Sequence, residues 1–236
     1  MKPVAIIPAR GGSKRLPRKN VLSFLGRPLI AWPIGAAQAS GLFSRVIVST
    51  EDDEIAMVAG RYGAEVIKRP EDIATDTSTV VEVCLHALET LRLNGSLPEL
   101  ICCIYATAAL LDPDDLVQSH SLIAGSVLDS VMGVAEYDLS PLQALTRKGD
   151  HWELMFPEYR AVQSQLYPEM VCSAGMMYWI RPEALLEQRT FYTRKMGVQK
   201  IPRSRLCDID TQEDFDAVEA RAASLGERWI AHSVSC

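Results

Sequence analysis

The chain has 236 residues, 48% of them apolar, and a formal net charge of −6 at neutral pH. This length and apolar content suffice for one large core, so we expect a single domain over residues 1–236. An acidic chain with one basic cluster is a poor candidate for binding nucleic acid. It has no apolar run of about 18 residues, so we also expect no membrane span.

The cysteines give an expectation about location. None of the six shows paired CxxC spacing, and most stand in apolar surroundings: Cys84, Cys102, Cys103, Cys172, Cys207 and Cys236. This pattern predicts reduced, mostly buried thiols. The N-terminus runs almost directly into an apolar segment, which argues against a signal peptide. We therefore expect a cytoplasmic protein.

The first predicted element is a buried strand over residues 4–7, which Pro8 ends. The loop that follows contains two adjacent glycines, Gly11 and Gly12. Five cations fall within ten of its residues: Arg10, Lys14, Arg15, Arg18 and Lys19. Glycines allow backbone N–H groups to approach a ligand closely. Concentrated positive charge in an acidic protein indicates a local anionic ligand.

A strand that leads into such a loop predicts a polyphosphate site. The N–H groups from Gly11 to Ser13 would serve as donors, and Arg10, Lys14 and Lys19 would hold the phosphates. The loop is not a Walker A loop, because it lacks the spacer before Gly-Lys-Ser/Thr. It also lacks the third glycine of the dinucleotide fingerprint. The alternative is a surface turn with solvated charges.

Strand and helix patterns alternate along the rest of the chain. Further strands are predicted at 46–50, 64–68, 100–105, 130–134 and 171–180, and helices at 29–39, 51–61, 80–91, 113–124, 182–188 and 212–225. This alternation predicts an α/β fold with a doubly wound, mostly parallel sheet. Ligands of such sheets bind beyond the carboxyl ends of the strands, where the glycine loop lies.

Two carboxylates near the C-terminus form a candidate metal site. Asp208 and Asp210 flank Ile209 in an extended pattern, which turns both carboxylates to the same side. Magnesium binds proteins through one or two carboxylates together with substrate phosphates. Combined with the polyphosphate loop, the pair predicts a Mg²⁺ site. The alternative is that Asp210 or Thr211 caps the following helix.

Residues 137–170 lack clear periodicity and contain several prolines among aromatic residues. A long irregular insertion inside a compact domain is usually functional or forms an interface.

The string IPARGGSKR followed by RKN resembles the opening of the CMP-sialic acid synthetases, cytidylyltransferases that activate nine-carbon 2-keto sugar acids (nonulosonic acids). The DIDT string at 208–211 resembles the metal-binding element of the same family. This resemblance implies a nucleotide-diphospho-sugar transferase-like fold. It also implies that CTP and a nonulosonic acid give a CMP-sugar and pyrophosphate. Residues 137–170 would then form a small subdomain that pairs two subunits of a homodimer and reaches over the partner's active site.

The resemblance also implies roles for individual residues. Arg69 would contact the cytosine base, whose O2 and N3 acceptors suit a guanidinium. For Thr75 and Asp76, in the next turn, helix capping is an equal alternative. The implied CTP-binding set is Arg10, Gly11, Gly12, Ser13, Lys14, Lys19, Asn20, Arg69, Thr77 and Ser78. The implied catalytic set is Arg10, Lys14, Lys19, Asp208 and Asp210. The implied sugar-binding set is Tyr105, Thr107, Gln143, Ser173 and Gly175.

The identity of the sugar is less constrained. The strand end at Tyr105 resembles the pseudaminic acid branch, because the best-known sialic acid enzymes place a glutamine there. The chain departs from the family's cations at Gln143 and at residues 163–166, and from an aspartate of the pseudaminic branch at Ser173. Arg147 and Arg160 are candidate replacements or ordinary surface charges. Two kinds of alternative stay open. The substrate could be N-acetylneuraminic, legionaminic or 3-deoxy-manno-octulosonic acid, or the chain could be a non-catalytic nucleotide-binding module.

Overall fold

The computed structural model describes residues 2–95 and 97–225. Its strands, β1 to β11 in chain order, are Val4–Pro8, Ser23–Phe24, Arg27–Pro28, Arg45–Thr50, Glu65–Lys68, Ile101–Ile104, Ser130–Glu136, Leu145–Lys148, His151–Leu154, Val171–Ile180 and Met196–Lys200. The helices, α1 to α6, are Ala31–Ala39, Asp53–Arg61, Val80–Leu93, Pro113–Ile123, Pro182–Gln188 and Gln212–Ser224.

Seven strands form the central sheet in the order β11-β7-β10-β6-β1-β4-β5. β1 is parallel to both of its neighbours, β4 and β6, and the pairs β4–β5 and β7–β11 are also parallel. Only β10 runs antiparallel to its neighbours within this sheet. The prediction of a mostly parallel α/β sheet is therefore confirmed.

Helices cover both faces of the sheet, as a doubly wound fold requires. One apolar cluster joins the sheet to α1, α2 and α4 through side chains such as Ile34, Ile55 and Leu116. A second cluster joins the opposite face to α3 and α5, through Leu88 and Leu185 among others. The central strands β1 and β6 are apolar throughout because both of their faces are buried.

A third apolar cluster lies outside the two main layers. It packs Leu16 of the glycine loop and Phe24, which follows the loop, against Cys207, Ile209 and Phe215 near the C-terminus. These side chains are nearly inaccessible to solvent, with Phe24 at 0% and Ile209 at 1% exposure. Two segments almost 200 residues apart in sequence are thereby held together.

The insertion at 137–170 is more ordered than its sequence predicts. β8 and β9 pair as an antiparallel hairpin around Gly149, which has a positive φ of 58°. The sequence lacks a strand signal here because the hairpin is largely exposed on both faces, so no apolar side alternates with a polar one.

The described cysteines are free thiols. Cys84, Cys102, Cys103 and Cys207 are buried and Cys172 is partly buried, while Cys236 lies outside the described residues. Within the described part of the chain, no helix combines the length and apolarity that crossing a membrane would need.

The third cluster gives a stability prediction. Replacing Ile209 with Ala should lower the free energy of unfolding by about 2–4 kcal/mol, because it leaves a cavity in a fully buried site. Urea denaturation followed by circular dichroism measures this change. Ile209→Val, which removes one methylene, should lower it by about 1 kcal/mol. Equal stability of Ile209→Ala and the unaltered protein would contradict the packing described.

Candidate active site

A cleft of about 630 Å³ opens beyond the carboxyl ends of β1, β5 and β6. Its lining brings together residues from four distant stretches of the chain: Pro8, Arg10, Ser13, Lys14, Arg15, Lys19, Asn20, Arg69, Asp76, Ser78, Val80, Val83, Tyr105, Ala106, Thr107, Asp208, Ile209 and Asp210. Five of these side chains are cationic and three are anionic. The cleft is therefore positively charged within an acidic protein, as the sequence predicts.

Four of the five cations of the glycine loop face this cleft: Arg15 and the three predicted to hold phosphates, Arg10, Lys14 and Lys19. Asn20 stabilises the loop: its side chain is buried and donates a hydrogen bond from Nδ2 to the carbonyl of Arg10 at 2.9 Å. Lys19 is mostly buried and donates to the carbonyl of Ile209. Asn20 therefore lines the cleft and also supports the loop.

The predicted aspartate pair lies in the same cleft as the cationic loop. Cys207 and Ile209 point into the third apolar cluster, so the alternating Asp208 and Asp210 turn outward into the cleft. Asp210 pairs with Arg15 at 2.6 Å and with Lys19 at 3.4 Å. Of the two residues that could cap α6, Thr211 is the N-cap, and its hydroxyl accepts a hydrogen bond from the Asp214 N–H. Capping is therefore not the role of Asp210.

These carboxylates fit a magnesium ion that is shared with phosphates. Among the described residues, Asp208 forms no ion pair, so its oxygens are available within the cleft. No group of three or more metal-ligating side chains occurs in the part of the chain that the structure describes. A site with two carboxylates matches the preference of Mg²⁺ for few protein ligands completed by phosphate oxygens and water.

A second set of contacts anchors the glycine loop from outside the cleft. Arg18 forms a bidentate pair with Asp52 at 2.5 and 3.2 Å and also contacts Glu54. Its hydrogen bond with Arg18 holds the pKa of Asp52 below its usual value, against the opposing effect of burial. Arg18 therefore ties the loop to the first turn of α2 and does not face the cleft.

The glycines of the loop have two different surroundings. The N–H of Gly11 donates to Glu51 Oε1 at 2.6 Å, and a β-carbon on Gly11 would lie 2.9 Å from Asp52 Cβ. Gly11 thus permits close packing against the start of α2. Neither Gly11 nor Gly12 is among the residues that line the cleft, and the Ser13 N–H donates to the Gly11 carbonyl.

Arg69 is the most buried cation of the cleft, with its side chain 4% exposed. It donates from Nη2 to the carbonyl of Ser49, while its Nε lacks a hydrogen-bond partner among the described residues. Burial lowers the pKa of this guanidinium. Of the two hydroxyls predicted near it, Ser78 lines the cleft, whereas Thr77 does not.

On the sugar side, the structure separates the predicted residues into two groups. Tyr105 and Thr107 line the cleft at the end of β6, whereas Gln143, Ser173 and Gly175 do not. Gln143 belongs to the insertion. The candidate replacements Arg147 and Arg160 also lie in the insertion and outside the cleft lining.

Ser173 and Gly175 stand behind Tyr105. The Ser173 hydroxyl bonds the Tyr178 hydroxyl at 2.6 Å and accepts the N–H of Gly175 at 3.2 Å, where β10 is bulged. The Tyr178 ring lies 5.3 Å from the ring of Tyr105, and burial raises the pKa of Tyr105. Ser173 and Gly175 therefore support the cleft wall.

Two cleft residues were absent from the predicted binding and catalytic sets, although Arg15 was counted among the loop cations. Arg15 pairs with Asp210, and Asp76 pairs with both Arg10 and Lys14. Capping is not the role of Asp76, because Thr79 forms a capping box with Glu82 at the start of α3. For Asp76, the one sequence signal of a place in the cleft was its position in a turn that the resemblance places beside the nucleotide.

Comparison with known proteins agrees with this geometry. The family model described as Cytidylyltransferase matches residues 4–141. The chain belongs to the cytidylyltransferase family. The family resemblance drawn from the N-terminal string is thereby confirmed.

Individual cytidylyltransferases are also similar over most of the chain. A pseudaminic acid cytidylyltransferase of Campylobacter jejuni is 35% identical over 92% of this chain and 94% of its own length. An N-acylneuraminate cytidylyltransferase of Escherichia coli is 46% identical over 91% of this chain and 51% of its own length. The fold matches a CMP-2-keto-3-deoxy-manno-octonic acid synthetase structure complexed with CTP, with a TM-score of 0.69 and 15% identity over 96% of this chain and 100% of that one.

The outer anchor of the loop gives a kinetic prediction for this cytidylyltransferase. Arg18→Met should raise the KM for CTP by about tenfold, or ~1.4 kcal/mol, as expected for losing a charged hydrogen bond that positions the loop. Asp52→Asn, which keeps the cap on α2, should have a similar effect. Initial rates at varied CTP concentrations measure both changes.

The double variant shows whether the two residues act through each other. Combining Arg18→Met with Asp52→Asn should raise KM little beyond either single change, because both remove the same contact. Arg92→Met breaks an exposed pair with Glu89 on α3 and serves as the matched control. Fully additive effects of the two changes would refute the anchor.

Proposed function

We propose that the protein transfers CMP from CTP to the anomeric 2-hydroxyl of a nonulosonic acid. The hydroxyl oxygen attacks the α-phosphorus in line and loses its proton. The bond from the α-phosphorus to the bridging oxygen breaks, and pyrophosphate leaves. The observation that carries this proposal is the shared cleft of Lys14 and Asp208, since a cationic loop and a carboxylate pair are what a metal-bound triphosphate requires.

The protein's own contribution is positioning and charge neutralisation. Arg10, Lys14 and Lys19 would hold the phosphates, and Lys14 would stabilise the negative charge that develops on them. Its flexible stem and 78% exposed side chain leave this ammonium free to reach a ligand. Ser13 and Asn20, which also line the cleft, would support the same phosphates.

Asp208 and Asp210 would hold Mg²⁺ together with the phosphates. When bound there, the ion supplies positive charge against the phosphate oxygens and lowers the pKa of a nearby hydroxyl. Arg15 and Lys19, which pair with Asp210, would be available for phosphate if Asp210 served as a ligand of the ion.

The cytosine base is assigned to the end of the cleft formed by Arg69 and Ser78. The buried Nε of Arg69 forms an ion pair with Glu51 Oε2 at 3.9 Å but no hydrogen bond among the described residues. It gains a hydrogen bond if a base carbonyl or ring nitrogen binds there. The sugar is assigned to the opposite wall at Tyr105 and Thr107. We favour pseudaminic acid, on the resemblance of the strand end at Tyr105 to that branch.

The function is tested by mixing the protein with CTP, Mg²⁺ and separate nonulosonic acids. Pyrophosphate release is expected with at least one acid and most rapidly with pseudaminic acid. N-acetylneuraminic, legionaminic and 3-deoxy-manno-octulosonic acids complete the panel. Calorimetric binding of CTP without turnover of any acid would favour the non-catalytic nucleotide-binding module.

Replacing Lys14 with Met in this assay should lower kcat/KM by at least about 100-fold, or ~2.7 kcal/mol, as for the loss of one charged group that stabilises a transition state. Lys195→Met removes an exposed lysine at the opposite edge of the sheet and should leave the rate unchanged. A near-normal rate for Lys14→Met would remove the loop from the mechanism.

We also propose that the protein is a cytoplasmic homodimer that pairs through the insertion. Exposed patches of large apolar side chains mark interaction surfaces. Several lie in or beside this one segment: Leu139, Leu145, Trp152, Met155 and Leu166. The free, mostly buried thiols are in keeping with a reducing compartment.

The homodimer gives a separate prediction. Light scattering after gel filtration should give twice the chain mass for the unaltered protein and a shift towards the chain mass for Trp152→Ser. Leu93→Ser removes an equally exposed apolar side chain on α3 and should stay dimeric. A monomeric unaltered protein would exclude the homodimer while leaving the nucleotide site untouched.

A further inference from the structure

One carboxylate bridges two cations of the cleft, Arg10 and Lys14. Asp76 Oδ1 lies 2.6 Å from Arg10 Nη1, and its Oδ2 contacts Lys14 Nζ. The two cations, with Lys14 contributing more, hold the pKa of Asp76 below its usual value. The carboxylate thus occupies the positions where a phosphate group with two free oxygens would sit.

The turn that carries Asp76 is otherwise bonded only to itself. Thr75 bonds Ser78 through backbone and hydroxyl at 3.1 and 2.8 Å, and bonds Thr77 at 3.1 Å. Among the described residues, no other hydrogen bond or ion pair joins the turn at 75–78 to a distant segment. Release of Asp76 from Arg10 and Lys14 therefore leaves the rest of the hydrogen-bond network intact.

Asp76 and a triphosphate cannot hold the same two cations at the same time. The pairs of Asp76 are partly exposed, with the Lys14 side chain 78% exposed, so each is weak and readily exchanged. A phosphate group presents more charge and more acceptor oxygens than one carboxylate. A nucleotide held by Arg10 and Lys14 would therefore have to displace Asp76.

We propose that Asp76 is an intramolecular competitor of the triphosphate that weakens CTP binding and promotes the release of pyrophosphate. The proposal rests on the proposed function only in taking this cleft as the CTP site. Removing the negative charge of Asp76 should tighten binding of both phosphate ligands by roughly two- to tenfold, the range expected for one or two exposed ion pairs.

The test is calorimetric titration of the full chain with CTP, with inorganic pyrophosphate and with cytidine, in buffer without divalent metal. Asp76→Asn keeps the size of the side chain and removes its charge. Asp72→Asn is the matched control, since Asp72 is an exposed carboxylate in the preceding turn and makes no ion pair among the described residues. Thermal melting of each variant checks that the fold is intact.

The expected result is tighter binding of CTP and pyrophosphate by Asp76→Asn, with cytidine affinity unchanged and Asp72→Asn like the unaltered protein. A double-mutant cycle adds a second readout. Lys14→Met should weaken CTP binding more in the Asp76→Asn background, where the lysine no longer exchanges one partner for another.

Equal or weaker CTP binding by Asp76→Asn would overturn the proposal, since it would make Asp76 a bystander or a support for the cations. A parallel change in cytidine affinity would also overturn it, because it would assign Asp76 to the base. In either case CTP binding and turnover by the unaltered protein would leave the proposed function standing. An unaltered protein that binds neither phosphate ligand, in this buffer or with Mg²⁺ added, would refute both.

Discussion

Burial of Cys207 and Ile209 against Leu16 and Phe24 is the contact on which the cleft depends. In an extended segment, alternate residues point to opposite sides, so burying these two turns Asp208 and Asp210 outward. The same contact fixes the chain just after the glycine loop. Hydrophobic packing, which has no charge preference, therefore brings the carboxylates to the cations and keeps them there without a ligand.

The loop cations have different roles in this arrangement. Arg18 faces outward and is held by Asp52, which leaves Arg10, Lys14 and Lys19 directed into the cleft. Within the cleft, Asp76 and Asp210 balance part of their charge. Clustered cations repel one another, so internal counter-ions stabilise the ligand-free loop and must be exchanged when phosphates bind.

The sugar side of the cleft is built differently, from aromatic packing and few charges. Tyr105 forms the wall, Tyr178 packs behind it, and Ser173 holds the Tyr178 hydroxyl at 2.6 Å. The sequence assigned Ser173 and Gly175 to the sugar through motif position. Strand β10 runs antiparallel and is bulged there, and this places both residues behind the wall. A bulge shifts which residues face a cleft, and a motif alone does not reveal it.

The sequence by itself determined the sheet, its helices and the family, because buried strands and amphipathic helices have distinct periodicities and the loop motif is long. It also predicted residues of the glycine loop and of the aspartate pair that line one cleft, among them Arg10 and Asp210. Tertiary structure alone decided which groups are neighbours: that Gly11 donates to Glu51, that Arg18 pairs with Asp52 at the start of α2, and that Asp76 bridges two cations. The physical reason is that an ion pair depends on distance in space, and these partners lie 34 to 66 residues apart along the chain.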